Sequence, residues 1–301
     1  MRKEIENLLA ELRLPRRDVY GLPDSGKTFP DGAHFRTEEL PTTLQEYEKL
    51  LALGDELGYV INRITDTRGT MFDSDEEILG KLELAKRHGC EVVMGPGAAE
   101  NPFDISQQAE IHQFVEGKVR GMDNVGYVLE DMLRVSELGC RAFLMYDEGV
   151  ILVALRMRSE GLLPADTKFK ISANISVANP AAVKFWFDLL GPDDEINPTR
   201  DLTLPMIAAL RQVTDHPFDL HTFHRTTVAR IMEAPEMVRV GSPLYLKNAR
   251  FGPGVDLEAR TLQGFRVVEA LRKAMPEARQ SAPGALGLAV PAEPGVESHI
   301  E

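Results

Sequence analysis

Four stretches of the chain place chemically capable side chains at meaningful spacings. In "AFLMYDE" (142–148) an apolar run ends in Tyr146, Asp147 and Glu148. In "KFKISANIS" (168–176) a period of two separates Lys170, Ser172 and Asn174 from Phe169, Ile171 and Ala173. "FDLHTFH" (218–224) sets Asp219, His221 and Phe223 against Phe218, Leu220 and Thr222, and "PLYLKN" (243–248) sets Tyr245 and Lys247 against Leu244 and Leu246. Asp147, Glu148 and His221 are candidate general acids or bases. The same three are a candidate set for a divalent metal, although no HxH or HExxH spacing supports one. His221 and His224 lie three apart, so they need not face one ligand. Lys170 and Lys247 are candidate buried bases, or Schiff-base nucleophiles if burial lowers their pKa. Arg63, Arg68 and Arg200 are candidate clamps for a substrate carboxylate, because a guanidinium binds one through two parallel hydrogen bonds. Asn174, Tyr245 and Lys27 complete the candidate binding residues.

Lys27 belongs to "GLPDSGKT" (21–28), a literal match to the phosphate-binding pattern G-x-x-x-x-G-K-[ST]. A phosphate cradle needs a helix N-terminus directly after the loop. Here "FPDGAHF" follows, and Pro30 and Gly32 break that helix. The segment therefore reads as a loop after a first strand. It would carry Asp24, Ser25 and Lys27 over a catalytic mouth. A nucleotide hydrolase stays as an alternative function, as does a non-catalytic barrel that binds a ligand or partner.

Alternating elements must position these residues. Three helical stretches end in Gly58, Gly89 and Gly139 just before an apolar run, which is where a helix needs a left-handed residue before turning into a strand. Strands are expected at 18–23, 59–65, 91–95, 141–147, 168–174, 194–198, 218–223 and 243–247. Helices are expected at 43–57, 74–88, 123–138, 150–160, 179–190, 203–214, 227–239 and 256–275. Ser74 with Glu77 has capping-box spacing, and Pro205 follows Thr203 at a helix start. Eight alternating units in one domain predict a single α/β (β/α)8 TIM-type barrel over 17–276. An open doubly wound sheet is the alternative. In the barrel the apolar set of each strand faces the helices, and the polar set points inward.

Residues 1–16 read as a packed accessory helix, with Ile5, Leu8, Leu9 and Leu12 on one face. Residues 277–301, rich in Pro, Gly and Ala, read as a flexible tail or an arm for a neighbouring subunit, which would make a homo-oligomer. The long segments 24–42 and 96–122 are candidate lid or substrate loops.

Composition narrows the partners. The 301-residue chain carries a net charge of −13, which disfavours nucleic acid and anionic membrane but leaves room for a small anion in a local basic pocket. No apolar run is long enough to span a membrane, and the N-terminus lacks a signal-peptide core. The two cysteines, Cys90 and Cys140, have no CxxC spacing and suit a reducing cytoplasm.

"EINPTRDLTLPMIAAL" (195–210) resembles the peptidase U32 family segment in which a strand runs through Ser/Thr-Arg-Glu-Leu-Ser/Thr-Leu into a helix. "EEILGKLELAKRHGCEVVMG" (76–95) is similar to that family's early helix-to-strand repeat, and "FDLHTFH" falls where the family carries an acid, an aromatic and a His. The resemblance covers about 59–250 and implies a barrel hydrolase. Asp201 replaces the family's Glu, and "HRTTVARIM" lacks its cysteines. Two distant cysteines cannot supply four ligands, so no iron–sulfur cluster is expected. The combined expectation is an enzyme, a lyase or hydrolase, acting on a small carboxylate-bearing substrate by acid/base or metal-assisted chemistry.

Overall fold

A computed structural model describes residues 1–97, 118–222, 229–248 and 256–284. Eight parallel strands close into a barrel in chain order. They are β1 (Phe35–Glu39), β2 (Arg63–Asp66), β3 (Glu91–Met94), β4 (Ala142–Met145), β5 (Lys168–Ile171), β6 (Glu195–Ile196), β7 (Phe218–His221) and β8 (Leu244–Asn248). Closure is made by β1 against β8, in register from Phe35↔Leu244 to Glu39↔Asn248.

The described helices are α1 (Lys3–Glu11), α2 (Leu44–Leu57), α3 (Asp75–Arg87), α4 (Gly121–Glu137), α5 (Glu148–Ser159), α6 (Pro180–Phe187), α7 (Leu204–Arg211), α8 (Ala229–Gly241) and α9 (Leu257–Ala274). Their starts follow local chemistry. Ser74 and Glu77 form the expected capping box, at 3.2 and 3.1 Å. Asn179 caps α6 by accepting from Ala182 N at 3.0 Å. Gly58 and Gly89 end their helices with φ of 63° and 62°.

The first strand corrects the sequence expectation. It lies at Phe35–Glu39, within the expected loop 24–42, and residues 18–23 form no strand. "RTEE" (36–39) holds three charged residues and no apolar one, so hydrophobicity does not mark it as a strand. Every residue of β1 is nonetheless buried. One consequence reaches the GKT motif. Residues 24–33 precede β1 and lie at the barrel's N-terminal end, opposite the mouth. Lys27 Nζ donates there to Thr214 O at 3.1 Å and Arg211 O at 3.3 Å, and pairs with Asp215.

Phe29 closes that end, with its ring edge-on to Tyr245 at 5.5 Å. The C-terminal segment helps. Ser281 accepts from Arg36 Nε at 2.8 Å, and Gln280 Nε2 bonds Val60 O and Asn62 Oδ1, each at 3.0 Å. Helix α1 forms as expected but buries none of its residues, and Ile5, Leu8 and Leu12 are exposed. No helix among the described residues is long and apolar enough to cross a membrane.

Outside the barrel, α9 lies close against a buried polar cluster. Asn248 Nδ2 donates to Glu39 Oε1 at 2.7 Å and to Tyr59 OH at 3.0 Å, and Tyr59 OH donates to Glu39 Oε1 at 2.9 Å. Gly264 makes the approach feasible: a methyl there would stand 2.2 Å from Asn248 Nδ2 and 2.6 Å from Glu39 Oε1. Gly264→Ala should therefore destabilise the fold by about 2 kcal/mol, despite Ala's better helix propensity. Urea unfolding at neutral pH checks this, and an unchanged midpoint would mean that α9 is not packed this tightly.

Candidate active site

The inward positions of the barrel follow the expected alternation, but their side chains are long and charged. Arg36, Arg63, Lys170 and Lys247 are buried, and so are Glu38, Glu91, Glu195 and Asp219. These four cations and four carboxylates balance. Burying such charges is costly unless each is paired, and the structure pairs them in layers.

The lower layer lies at the N-terminal end. Arg36 Nη1 donates to Tyr245 OH at 2.9 Å, and Tyr245 OH donates to Glu91 Oε2 at 2.8 Å. Arg63 donates from Nε to Glu91 Oε2 at 2.9 Å, grips Glu195 with both Nη atoms, and lies 3.4 Å over the Tyr245 ring. Arg63 and Tyr245 are thus committed to the core and are not placed to clamp a substrate.

Glu38 organises the middle layer. Its oxygens lie 2.7 and 2.6 Å from Lys170 Nζ, 2.9 Å from Lys247 Nζ and 3.5 Å from Arg63 Nη1. Lys170 also contacts Asp219 and Thr65 Oγ1, the latter at 3.2 Å. An ammonium has three donors, and these partners occupy all three on Lys170. Lys247 spends two, on Glu38 and on Asp219 at 3.4 Å. Burial works to raise the Glu38 pKa, but Lys170, Lys247 and Arg63 together hold it well below the ordinary carboxylate value. Asp219 moves the other way, raised by burial and by neighbouring Glu38. Burial lowers the Lys170 pKa, whereas Asp219 and Glu38 overcome burial at Lys247 and raise it. The two carboxylates beside Lys247 thus favour its charged form.

The upper layer lies at the C-terminal mouth. His221 is the β-register partner of Lys247. Its Nε2 lies 3.2 Å from Asn197 Oδ1. Asn197 donates through Nδ2 to Asp219 O, so its Oδ1 faces the imidazole, which must donate through Nε2–H. The basic lone pair is then on Nδ1. Burial first, then the charges of Lys247 and Arg200, push the His221 pKa well below its usual value, so the ring is neutral at pH 7. Arg200, partly exposed beyond β6, donates from Nη2 to Asn174 Oδ1 at 2.9 Å. Asn174 is held in a 3-10 turn after β5, where its N donates to Ser172 Oγ at 3.2 Å.

The structure thus brings together His221, Lys247, Arg200 and Asn174. Asn197, which fixes the imidazole tautomer, was not among the sequence candidates. Its signal was available, as the inward polar residue after a two-residue β6 whose pattern is too short to read. Other candidates have different positions. Asp147 is the N-cap of α5, accepting from Val150 N at 3.0 Å and Val119 N at 3.1 Å. Glu148 is on the surface, paired with Lys118. Asp147, Glu148 and His221 form no metal set, and no group of three potential metal-binding side chains occurs among the described residues. Arg68 pairs with Asp73 at 3.2 Å beside the mouth. His224 and the segment 98–117 lie outside the described residues. A cavity around Phe29 and Arg36, about 420 Å³, lies at the opposite end of the barrel from this chemistry. Catalytic groups of such barrels gather at the C-terminal strand ends, so the mouth remains the candidate active site.

No protein-family model matches the chain, and no curated protein matches it. Solved structures with a similar fold include a truncated 3-deoxy-D-arabino-heptulosonate 7-phosphate synthase from Thermotoga maritima, at TM-score 0.47 and 12% identity over 83% of this chain and 91% of that one. A dihydrodipicolinate synthase matches at 0.47 and 11%, over 81% of this chain and 78% of that one. A U32 peptidase matches at 0.42 and 11%, over 75% and 98%. At these identities the likeness is one of barrel fold, and fold alone does not assign activity.

Removing Glu38 tests the core. Glu38→Gln leaves Lys170, Lys247 and Arg63 without their shared anion and should cost about 3–5 kcal/mol at pH 7. A carboxylate whose folded pKa is depressed stabilises the fold above its unfolded pKa, and that contribution is lost as pH falls through the folded value. The gap between wild type and variant should therefore narrow steadily below about pH 4. Chemical unfolding across pH measures both effects, and a variant as stable as wild type at pH 7 would overturn the assignment.

Proposed function

We propose that the chain is a barrel enzyme that binds a small carboxylate-bearing molecule at the C-terminal mouth and moves a proton on it. The observation that carries this reading is that buried His221 and Lys247 are register partners on adjacent strands, near Arg200. Arg200 is partly exposed where a substrate would enter. Its planar guanidinium, oriented by Asn174, suits a carboxylate. His221 is the candidate base. Lys247 stabilises negative charge that develops on a substrate oxygen when the proton leaves the adjacent carbon. That division of labour fits a lyase-type reaction. Lys170 holds the floor in place and takes no proton from substrate. Asp147 and Glu148 take no part.

The test is exchange of carbon-bound hydrogen in D2O, followed by NMR across a panel of small 2-oxo and 2-hydroxy acids. Arg200→Ala should weaken carboxylate affinity about tenfold or more, equivalent to losing a charge-assisted hydrogen bond. His221→Asn should abolish exchange while leaving binding intact. Unchanged affinity in the first variant, or unchanged exchange in the second, would sink the proposal.

The pH profile supplies a separate check. A base whose pKa lies well below 6.5 in the folded protein is already deprotonated at neutral pH. Exchange should stay level through about pH 6.5, where an ordinary histidine titrates. An inflection there would show that the ring is not held neutral by its surroundings.

A further inference from the structure

The N-terminal end of the barrel holds a cavity that the proposed activity does not use. Its volume is about 420 Å³, within the range of small-molecule sites. Its walls are apolar and stiff: Phe29, Pro30, Pro217 and Pro243. His216 adds a flat ring, stacked on Phe187 at 4.0 Å, and burial lowers its pKa so that it is uncharged at neutral pH.

One cation and three carboxylates line this space as well. Arg36 lines it although only 1% of the residue's surface is exposed. Its guanidinium is pinned by Nε to Ser281 Oγ at 2.8 Å, by Nη1 to Tyr245 OH at 2.9 Å and towards Glu91 Oε1 at 3.5 Å, and by the Phe29 ring 4.1 Å away. Nη2 makes none of the described hydrogen bonds, so a rigid donor remains for a ligand acceptor. At the rim stand three carboxylates, of which two are committed. Asp194 is gripped by Arg158 at 2.7 and 2.8 Å, and Asp215 pairs with Lys27. Asp193 is exposed and forms none of the described ion pairs.

We infer that this cavity is a second binding site, for a small zwitterion of the α-amino-acid class. The ligand carboxylate meets Arg36 Nη2, the ammonium meets Asp193, and an apolar side chain lies among the prolines and Phe29. A simple anion would meet the rim carboxylate, and a simple cation would meet Arg36. Only a molecule with both charges satisfies both ends. The site is on the opposite end of the barrel from His221, so the inference is independent of the proposed function.

Calorimetric titration of the full chain tests it, with L-leucine and L-phenylalanine as probes and their des-amino and des-carboxy analogues as controls. At least one amino acid should bind with Kd of about 1 mM or tighter, and its analogues about tenfold more weakly. Asp193→Asn, an exposed change that leaves the core untouched, should weaken binding about tenfold. Arg36→Lys should do the same, and a melting curve shows whether that variant is folded. Arg200→Ala should leave this binding unchanged. No binding of either probe at about 10 mM, equal binding of the analogues, indifference to Asp193→Asn, or loss in Arg200→Ala would each overturn the inference. The last result would place the amino acid at the mouth instead.

Discussion

The barrel depends on one carboxylate being shared. Glu38 touches Lys170, Lys247 and Arg63, which arrive from three different strands. A charge moved from water into protein loses several kcal/mol of hydration. No single pair in the core offsets that loss for all its members. The network does so because most of its ions have more than one charged partner and the totals cancel. Glu38 is the member with the most cations around it, which is why its pKa falls while that of neighbouring Asp219 rises. The interior is thus held by charge balance as well as by packing, where barrels of this type are more often filled with branched apolar side chains.

The same constraint shapes the opposite wall. Long cations from β2, β5 and β8 need space, and β3 and β4 provide it with Val93, Ala142 and Leu144 pointing inward. Gly95, at the end of β3, lets the Tyr146 ring lie across it; a methyl there would stand 3.1 Å from that ring. A small void of about 10 Å³ remains between Arg63, Ala142, Lys170 and Glu195, about the size of one water. The two ends then differ in kind. The N-terminal end is covered by Phe29 and by Ser281, and the C-terminal end presents Arg200 over a neutral imidazole.

The helix-to-strand rhythm made much of this legible. Glycines at helix ends, Ser74 with Glu77, and apolar runs gave seven of the eight strands close to their positions. Period-two alternation put Lys170, Asp219, His221, Tyr245 and Lys247 inside. The first strand was hidden because its inward residues are Arg36 and Glu38. A strand made for an ionic core looks like a loop when hydrophobicity is the signal. That one displacement moved Lys27 from the mouth to the base. Arg63 and Tyr245 were misjudged for a related reason. Alternation gives the face of a residue but not its depth, and depth decides whether a charge meets substrate or another charge. Asp147 shows a third limit: an acid at a strand end is as well suited to capping the next helix as to chemistry, and local hydrogen bonds settle which.

Lys170 and Lys247 make the point about depth most directly. Both are inward lysines, both are almost fully buried, and both contact Glu38 and Asp219. Sequence cannot separate them. The structure does, through the third donor. On Lys170 it goes to Thr65 of β2, deep in the barrel, and the residue becomes a strut. Lys247 lies level with His221 on the neighbouring strand, and its described contacts leave one donor for the mouth. Its two carboxylate partners favour the charged form, which suits the proposed oxyanion role better than attack on a carbonyl as a free amine. It can hold an oxyanion, because the dipoles and charges around it are already arranged and need not reorganise as the substrate changes.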